Sequence, residues 1–371
     1  MTFDETATRR GVLSAGAAML AFSVQAAAPT APSIYRRAIV VDGNLSTSFL
    51  FDPTPITSQE AQHIHGSGLT VFKQTLGGST GDFATAEQEI TSAKDAIARN
   101  PSLFMLVEHA GQIAEAKRSG KVGVILSFEA ASMHEGRVDS IDHFAAEGVR
   151  VMGLSYNIGS PFGAGTLQPA DAGLTPLGRE AVSRMNALGV TVDLSHSNDL
   201  TGLQAIAASR IPALITHAGC AAVHAHPRNK SDTLLRAIAD QGGAFGVYDL
   251  SYLGGYPANP TLDIYMRHLT HALKVCGEDH VGIGSDTDLL SIDTSPTVIA
   301  DWNKNIAKRK SAGVMAPEEG PLPYVEGLNG PGRWEVISKE LARRGYPSSV
   351  VEKVLGTNFV RVFNRTWAVK G

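Results

Sequence analysis

From residue 38 onward, short runs of apolar and β-branched residues alternate with longer segments whose apolar positions recur at helical spacing. A near-continuous apolar run suits a strand buried on both faces of a parallel sheet, and a 3.6-residue stripe suits the helix that covers it. The pattern predicts strands at 38–42, 69–75, 122–129, 149–157, 190–196, 213–217, 244–249 and 280–286. Helices are predicted at 82–99, 175–188, 231–241 and 262–275, several followed by glycine, which readily takes the left-handed conformation that ends a helix. Eight strands separated by helices predict a TIM-like (β/α)8 barrel, and 371 residues accommodate one with extensions.

Two segments break the alternation. A short apolar run at 103–108 and a helix at 111–118 precede the third strand, so one unit is elaborated there or the register differs. After 286 the chain is rich in Pro and Gly and reads as irregular as far as Trp334, with two helical segments then ending near Trp367. These are expected to form a C-terminal helical extension packed on the barrel, not a second domain.

The N-terminus reads differently. Thr8-Arg9-Arg10-Gly11-Val12-Leu13 opens an Ala-rich apolar stretch, and the small residues Ala26 and Ala28 precede a Pro-containing linker. This is the pattern of a twin-arginine export signal, with an apolar core shorter than the ~20 residues a spanning helix needs. Residues 1–30 are therefore assigned to a signal peptide and 31–371 to the barrel, which predicts a periplasmic mature protein without a membrane span. That route carries folded proteins, so a cofactor can be loaded before export.

A formal charge of -4, with no Lys/Arg cluster interleaved with aromatics, argues against a nucleic-acid partner. Of the two cysteines, Cys220 is predicted in a loop after a strand and Cys276 at a helix end on the opposite face. A bridge needs Cα atoms within about 7 Å, so both are read as packing residues.

Several predicted strands end in a residue that binds metal or protons: Asp42, Glu129, His196, His217, Asp249 and Asp286. Parallel staves point their C-terminal ends to one face of a barrel, so these side chains can converge from distant positions. Two imidazoles and a carboxylate suit zinc, which keeps a water in an open coordination position and acidifies it. His196, His217 and Glu129 are assigned as ligands, with Asp286 as general base or fourth ligand.

The segments GLTPLGREAVSRMNALGVTVDLSH, ITHAGCAAVHAHPRNKSDTLLRAIADQGG, VGIGSDTD and VLGTNFVRVF resemble the membrane dipeptidase (renal dipeptidase) family, in the same order. The resemblance implies a TIM-like barrel with a dinuclear zinc site that cleaves dipeptides, in a chain that can form a homodimer. It implies that Glu129 bridges two metals, that His196 and His217 hold one of them, and that Asp286 lies beside the catalytic water. Arg228 in HPRN matches the arginine that grips the substrate carboxylate, a role suited to a planar fork of donors.

The chain also departs from the family. Where the family has Asp-Gly-His-x-Asp, this chain has Asp42-Gly43-Asn44-Leu45-Ser46, so both ligands specific to the second metal are missing. One zinc is expected. Where the family has a His contacting the reacting carbonyl, this chain has Tyr156, either an oxyanion donor or a packing residue of the barrel mouth. His63 and His65 precede the second strand and are not expected at the site, and His226, before Pro227, reads as loop-shaping. Asp42 is open between a replacement ligand and a turn residue, and Asp193 between orienting a ligand imidazole and capping a loop. The leading expectation is an exported zinc hydrolase of a small amide or dipeptide. The alternatives are another reaction in the same pocket, such as isomerisation or modification of a natural product, and a non-catalytic small-molecule binding protein.

Overall fold

The structure, a computed structural model, describes residues 34–52 and 54–368. The expected signal peptide lies outside these residues. Among the described residues nine strands form the sheet: β1 Val41–Leu45, β2 Val71–Leu76, β3 Phe104–Leu106, β4 Val122–Phe128, β5 Val149–Gly153, β6 Thr191–Asp193, β7 Leu214–Ala218, β8 Ala244–Val247 and β9 Val281–Ile283. All pairings between them are parallel.

β1 pairs with both β2 and β9, and β2 pairs with β4 along Val71–Leu76, so β1, β2 and β4 to β9 close the expected (β/α)8 barrel. Closure leaves no open edge among these staves. β3 stands outside the ring. It pairs with Val122 to Val124 of β4, on the edge where β5 takes Leu126 to Phe128. The apolar run at 103–108 is thus a half-strand beside the barrel.

Side-chain acceptors decide where some staves stop. The Asp193 carboxylate takes the N–H groups of Ser195 at 3.1 Å and Thr216 at 3.2 Å, which ends β6 three residues short of His196. The Asp42 carboxylate does the same for β9, accepting from Ser285 N at 2.9 Å. β1 runs beyond the predicted boundary at Asp42 to Leu45, which carries Asn44 to the barrel mouth.

At the other end, Phe359, Val362 and Phe363 of the helix Asn358–Thr366 pack with Val41, Val71, Ile125, Val151 and Leu214 and plug the barrel floor. Gly282 is required here, because a Cβ would lie 2.4 Å from the Phe359 ring. The C-terminal extension therefore docks as expected. Cys220 and Cys276 are free and buried.

One expectation is corrected. The stretch after Asp286 is not irregular throughout, since a 16-residue helix, Pro296–Ser311, forms within it. None of its residues is buried. A helix that packs so little carries no strong apolar stripe, and this is why the pattern did not reveal it.

Candidate metal centre

Glu129 follows β4 directly, His196 lies three residues past β6, His217 is within β7, and Asp286 lies three residues past β9. The barrel brings the first three together: one ligand atom from each of Glu129, His196 and His217 lies within 4.8 Å of the others. His196 Nε2 and His217 Nε2 are 3.0 Å apart, and Glu129 Oε2 is 3.7 and 3.8 Å from them. Asp286 Oδ2 is 3.9 Å from His217 Nε2.

Hydrogen bonds assign the tautomers. Asn157 Nδ2 donates to Val314 O at 3.0 Å, so its Oδ1 is the acceptor for His196 Nδ1–H at 2.9 Å. The Thr216 hydroxyl donates to Asp193 Oδ2 at 2.5 Å, so its oxygen accepts from His217 Nδ1–H at 2.8 Å. Both Nε2 atoms therefore carry lone pairs, directed at one another. Burial, followed by the Arg228 charge for His196 and by His196 for His217, holds both imidazoles well below their ordinary pKa and keeps them neutral. Two neutral lone pairs this close repel unless a cation lies between them, and with the Glu129 carboxylate they make the mixed donor set of a divalent metal site. The residues fit the ion.

Asn44 brings a donor to this cluster. Its Nδ2 donates to Asp286 Oδ1 at 2.7 Å and to Glu129 Oε2 at 3.3 Å. Asp286 sits at φ 57°, a left-handed conformation uncommon for a non-glycine residue and concentrated at functional sites. Burial, then the Glu129 charge, raises the Asp286 carboxyl well above the usual carboxylate range.

Arg228 is fully buried, donating to Ser195 O and lying 3.3 Å from His196 Nε2. Tyr156 stacks on His196 with ring centroids 4.1 Å apart. These residues, with Glu129 and Asp286, line a cavity of about 640 Å³ at the C-terminal mouth. Its outer wall includes Val298 and Trp302 of the helix Pro296–Ser311 and the Pro321-Leu322-Pro323 turn.

Other residues settle into supporting places. Asp42 accepts from Asn44 N, Ser285 N, Ser285 Oγ and Trp334 Nε1, so it shapes the turn. Asp193 orients His217 through Thr216 and lies 3.5 Å from the buried Lys73 ammonium. Asp249 is buried 3.9 Å from Arg333 Nη1, outside the Glu129–His196–His217 cluster, and its carboxyl is pushed up to about 8 by burial. His224 bonds Glu318 at 3.0 Å and His226 bonds Pro317 O at 2.8 Å, so both brace the outer loop. His63 and His65 are exposed on the helix Ser58–Gly66, which leads into the start of β2 at the far end of the barrel.

Sequence reasoning missed Asn157, which presents the acceptor to His196, and Arg309 and Glu319 in the outer wall. Asn157 adjoins Tyr156 at a predicted strand end, a usable signal. Arg309 and Glu319 have none, because they lie outside the strand pattern.

The sequence model of the membrane dipeptidase family, Peptidase family M19, matches residues 40–305. An uncharacterised dipeptidase of Schizosaccharomyces pombe is 28% identical over 277 residues, 70% of this chain and 67% of its own. The dipeptidase verJ of Clonostachys rogersoniana is 26% identical over 279 residues, 75% of this chain and 64% of its own. An amidohydrolase from Pseudomonas aeruginosa superposes with a TM-score of 0.78 at 27% identity, covering 90% of this chain and 98% of that one. A metallopeptidase from Rhodobacter sphaeroides, solved with a phosphinate mimic of L-Ala-D-Ala, superposes with a TM-score of 0.67 at 21% identity over 89% of this chain and 100% of its own. With the barrel and the His-His-Glu cluster, the match over most of the chain identifies the protein as a member of the membrane dipeptidase family, a metal-dependent hydrolase.

Proposed function

We propose that this chain is an exported zinc hydrolase that uses a single ion and cleaves a small amide or dipeptide presenting a carboxylate to Arg228. The observation that carries this reading is the pair of imidazole lone pairs 3.0 Å apart beside Glu129, with Asn44 donating where a second ion would need a ligand. His196, His217 and Glu129 would hold the zinc, which when bound would supply a Lewis acid and a more acidic water at the site.

The chain's own residues account for the rest of the reaction. Arg228 holds the substrate carboxylate. As water attacks the carbonyl carbon, a carboxylate oxygen of Asp286 accepts its proton, and the Tyr156 hydroxyl donates to the developing oxyanion. When the C–N bond breaks, Asp286 returns the proton to the leaving nitrogen. Among the described residues no helix is long and apolar enough to cross a membrane. Export rests on Arg9 and Arg10 and the apolar run that follows.

The decisive experiment measures metal per chain in protein taken from the periplasmic fraction without added zinc or chelator, then hydrolysis of a dipeptide panel. About one zinc and turnover are expected. No tightly held metal, even after zinc is supplied, would end this reading. A second reading, a different reaction in the same pocket, draws on the Asn44 replacement, and one bound zinc without hydrolysis of any amide would favour it.

A further inference from the structure

Tyr156 is buried against the metal centre and has one hydroxyl proton to give. Among the described residues its only hydrogen-bond partner is Arg309, whose Nη2 donates to the phenol oxygen at 3.1 Å. The oxygen is thus occupied as an acceptor, and the O–H remains available to a group in the cavity, which both residues line. The guanidinium carbon also lies 5.9 Å from the ring centroid of Tyr156.

Arg309 is held in that place. It pairs with Glu319, and Glu319 in turn accepts from Tyr252 Oη at 2.6 Å and Ala316 N at 2.9 Å. Yet its helix, Pro296–Ser311, buries no residue, so packing alone secures it weakly. The Arg309 to Tyr156 bond ties this outer helix to the reacting floor. A phenol alone in an apolar pocket is a weak donor, whereas one whose oxygen receives a charged donor is polarised towards giving its proton.

We propose that Arg309 is a positioning residue that acts through Tyr156, orienting and polarising the phenol as the donor to the oxyanion from its place on the helix Pro296–Ser311. The inference rests on the hydrolytic reading above.

The test compares metal-loaded wild type with R309M, R309K, Y156F and R309M/Y156F, using an amide substrate and its phosphinate isostere as inhibitor. Y156F is expected to lower kcat by about 100-fold and R309M by about tenfold, with KM changed less than about threefold. Phosphinate affinity should fall in parallel, and R309K should recover part of the loss. In the Y156F background R309M should change nothing further, because its effect passes through the phenol. Zinc content and the thermal midpoint serve as controls, and R309Q replaces R309M if that variant proves unstable. Wild-type kcat in R309M, a rise in KM alone, or losses that multiply in the double variant would each overturn the proposal while leaving the hydrolytic reading intact. Absence of hydrolysis by zinc-loaded wild type would overturn both.

Discussion

Asn44 and Asp286 hold each other twice: the Asp286 N–H donates to the Asn44 carbonyl at 2.7 Å, and the Asn44 side-chain amide donates to Asp286 Oδ1 at 2.7 Å. The same amide nitrogen reaches Glu129 Oε2 at 3.3 Å. A neutral donor thus stands between two carboxylates whose mutual repulsion would otherwise call for a cation. The left-handed backbone at Asp286 is secured by this double contact.

Restoring ligands at this place should restore a second ion. The double variant N44H/S46D supplies an imidazole and a carboxylate beside Glu129, and zinc content by mass spectrometry should rise from about one to about two per chain. A ratio that stays at one would mean that the loss of the second site does not reside in these two residues.

Asp286 is read as a base and not as a ligand. D286N should lower kcat by roughly 10²- to 10⁴-fold while KM and zinc content hold, because the amide cannot accept the proton. If zinc is lost instead, Asp286 is a fourth ligand.

Asp193 serves two neighbours at once, accepting from Thr216 beside His217 and lying 3.5 Å from Lys73 Nζ. D193N leaves a buried ammonium without its anion and should cost about 3–5 kcal/mol in denaturant unfolding. It also frees Thr216 and loosens the His217 tautomer, so zinc affinity should fall about 10- to 100-fold in a chelator competition. K73M/D193N should regain stability without regaining affinity, which separates the two effects. Unchanged affinity in D193N would refute the orienting role.

His134 offers a test by pH. Its ring is buried with Phe128, Phe144 and Phe162 nearby, Nδ1 bonds Ser140 Oγ at 2.7 Å, and Nε2 has no partner among the described residues. Burial lowers its pKa to about 3. The unfolded chain takes up this proton near pH 6.5, whereas the folded chain does so only near 3. The stability that His134 contributes is therefore fully present above 6.5 and lost as pH falls towards 3, at up to about 1.4 kcal/mol per pH unit. H134Q, which has no such proton, should lose less stability between pH 6.5 and 4 in parallel urea titrations. Equal losses would show that His134 titrates normally.

The chain's apolar periodicity was enough to predict eight staves and a barrel, because parallel strands buried on both faces leave continuous apolar runs that the solvent-facing sides of the helices interrupt. The same pattern predicted that Glu129, His196, His217 and Asp286 would meet, since parallel staves present their C-terminal ends to one mouth. Tertiary structure alone decided the rest. Whether Asp42 replaces a ligand or shapes a turn, and whether Asp193 orients an imidazole or caps a loop, depends on which N–H groups lie opposite them, and those come from Ser285 just past β9 and Thr216 of β7, far away in the chain. The proton positions on His196 and His217 follow from Asn157 and Thr216, whose own donors are spent on Val314 and Asp193. Arg309 reaches Tyr156 across 153 positions of sequence on a helix with no buried residue. Such a contact leaves no periodic trace, because it is made by one charged end group and not by a packed face.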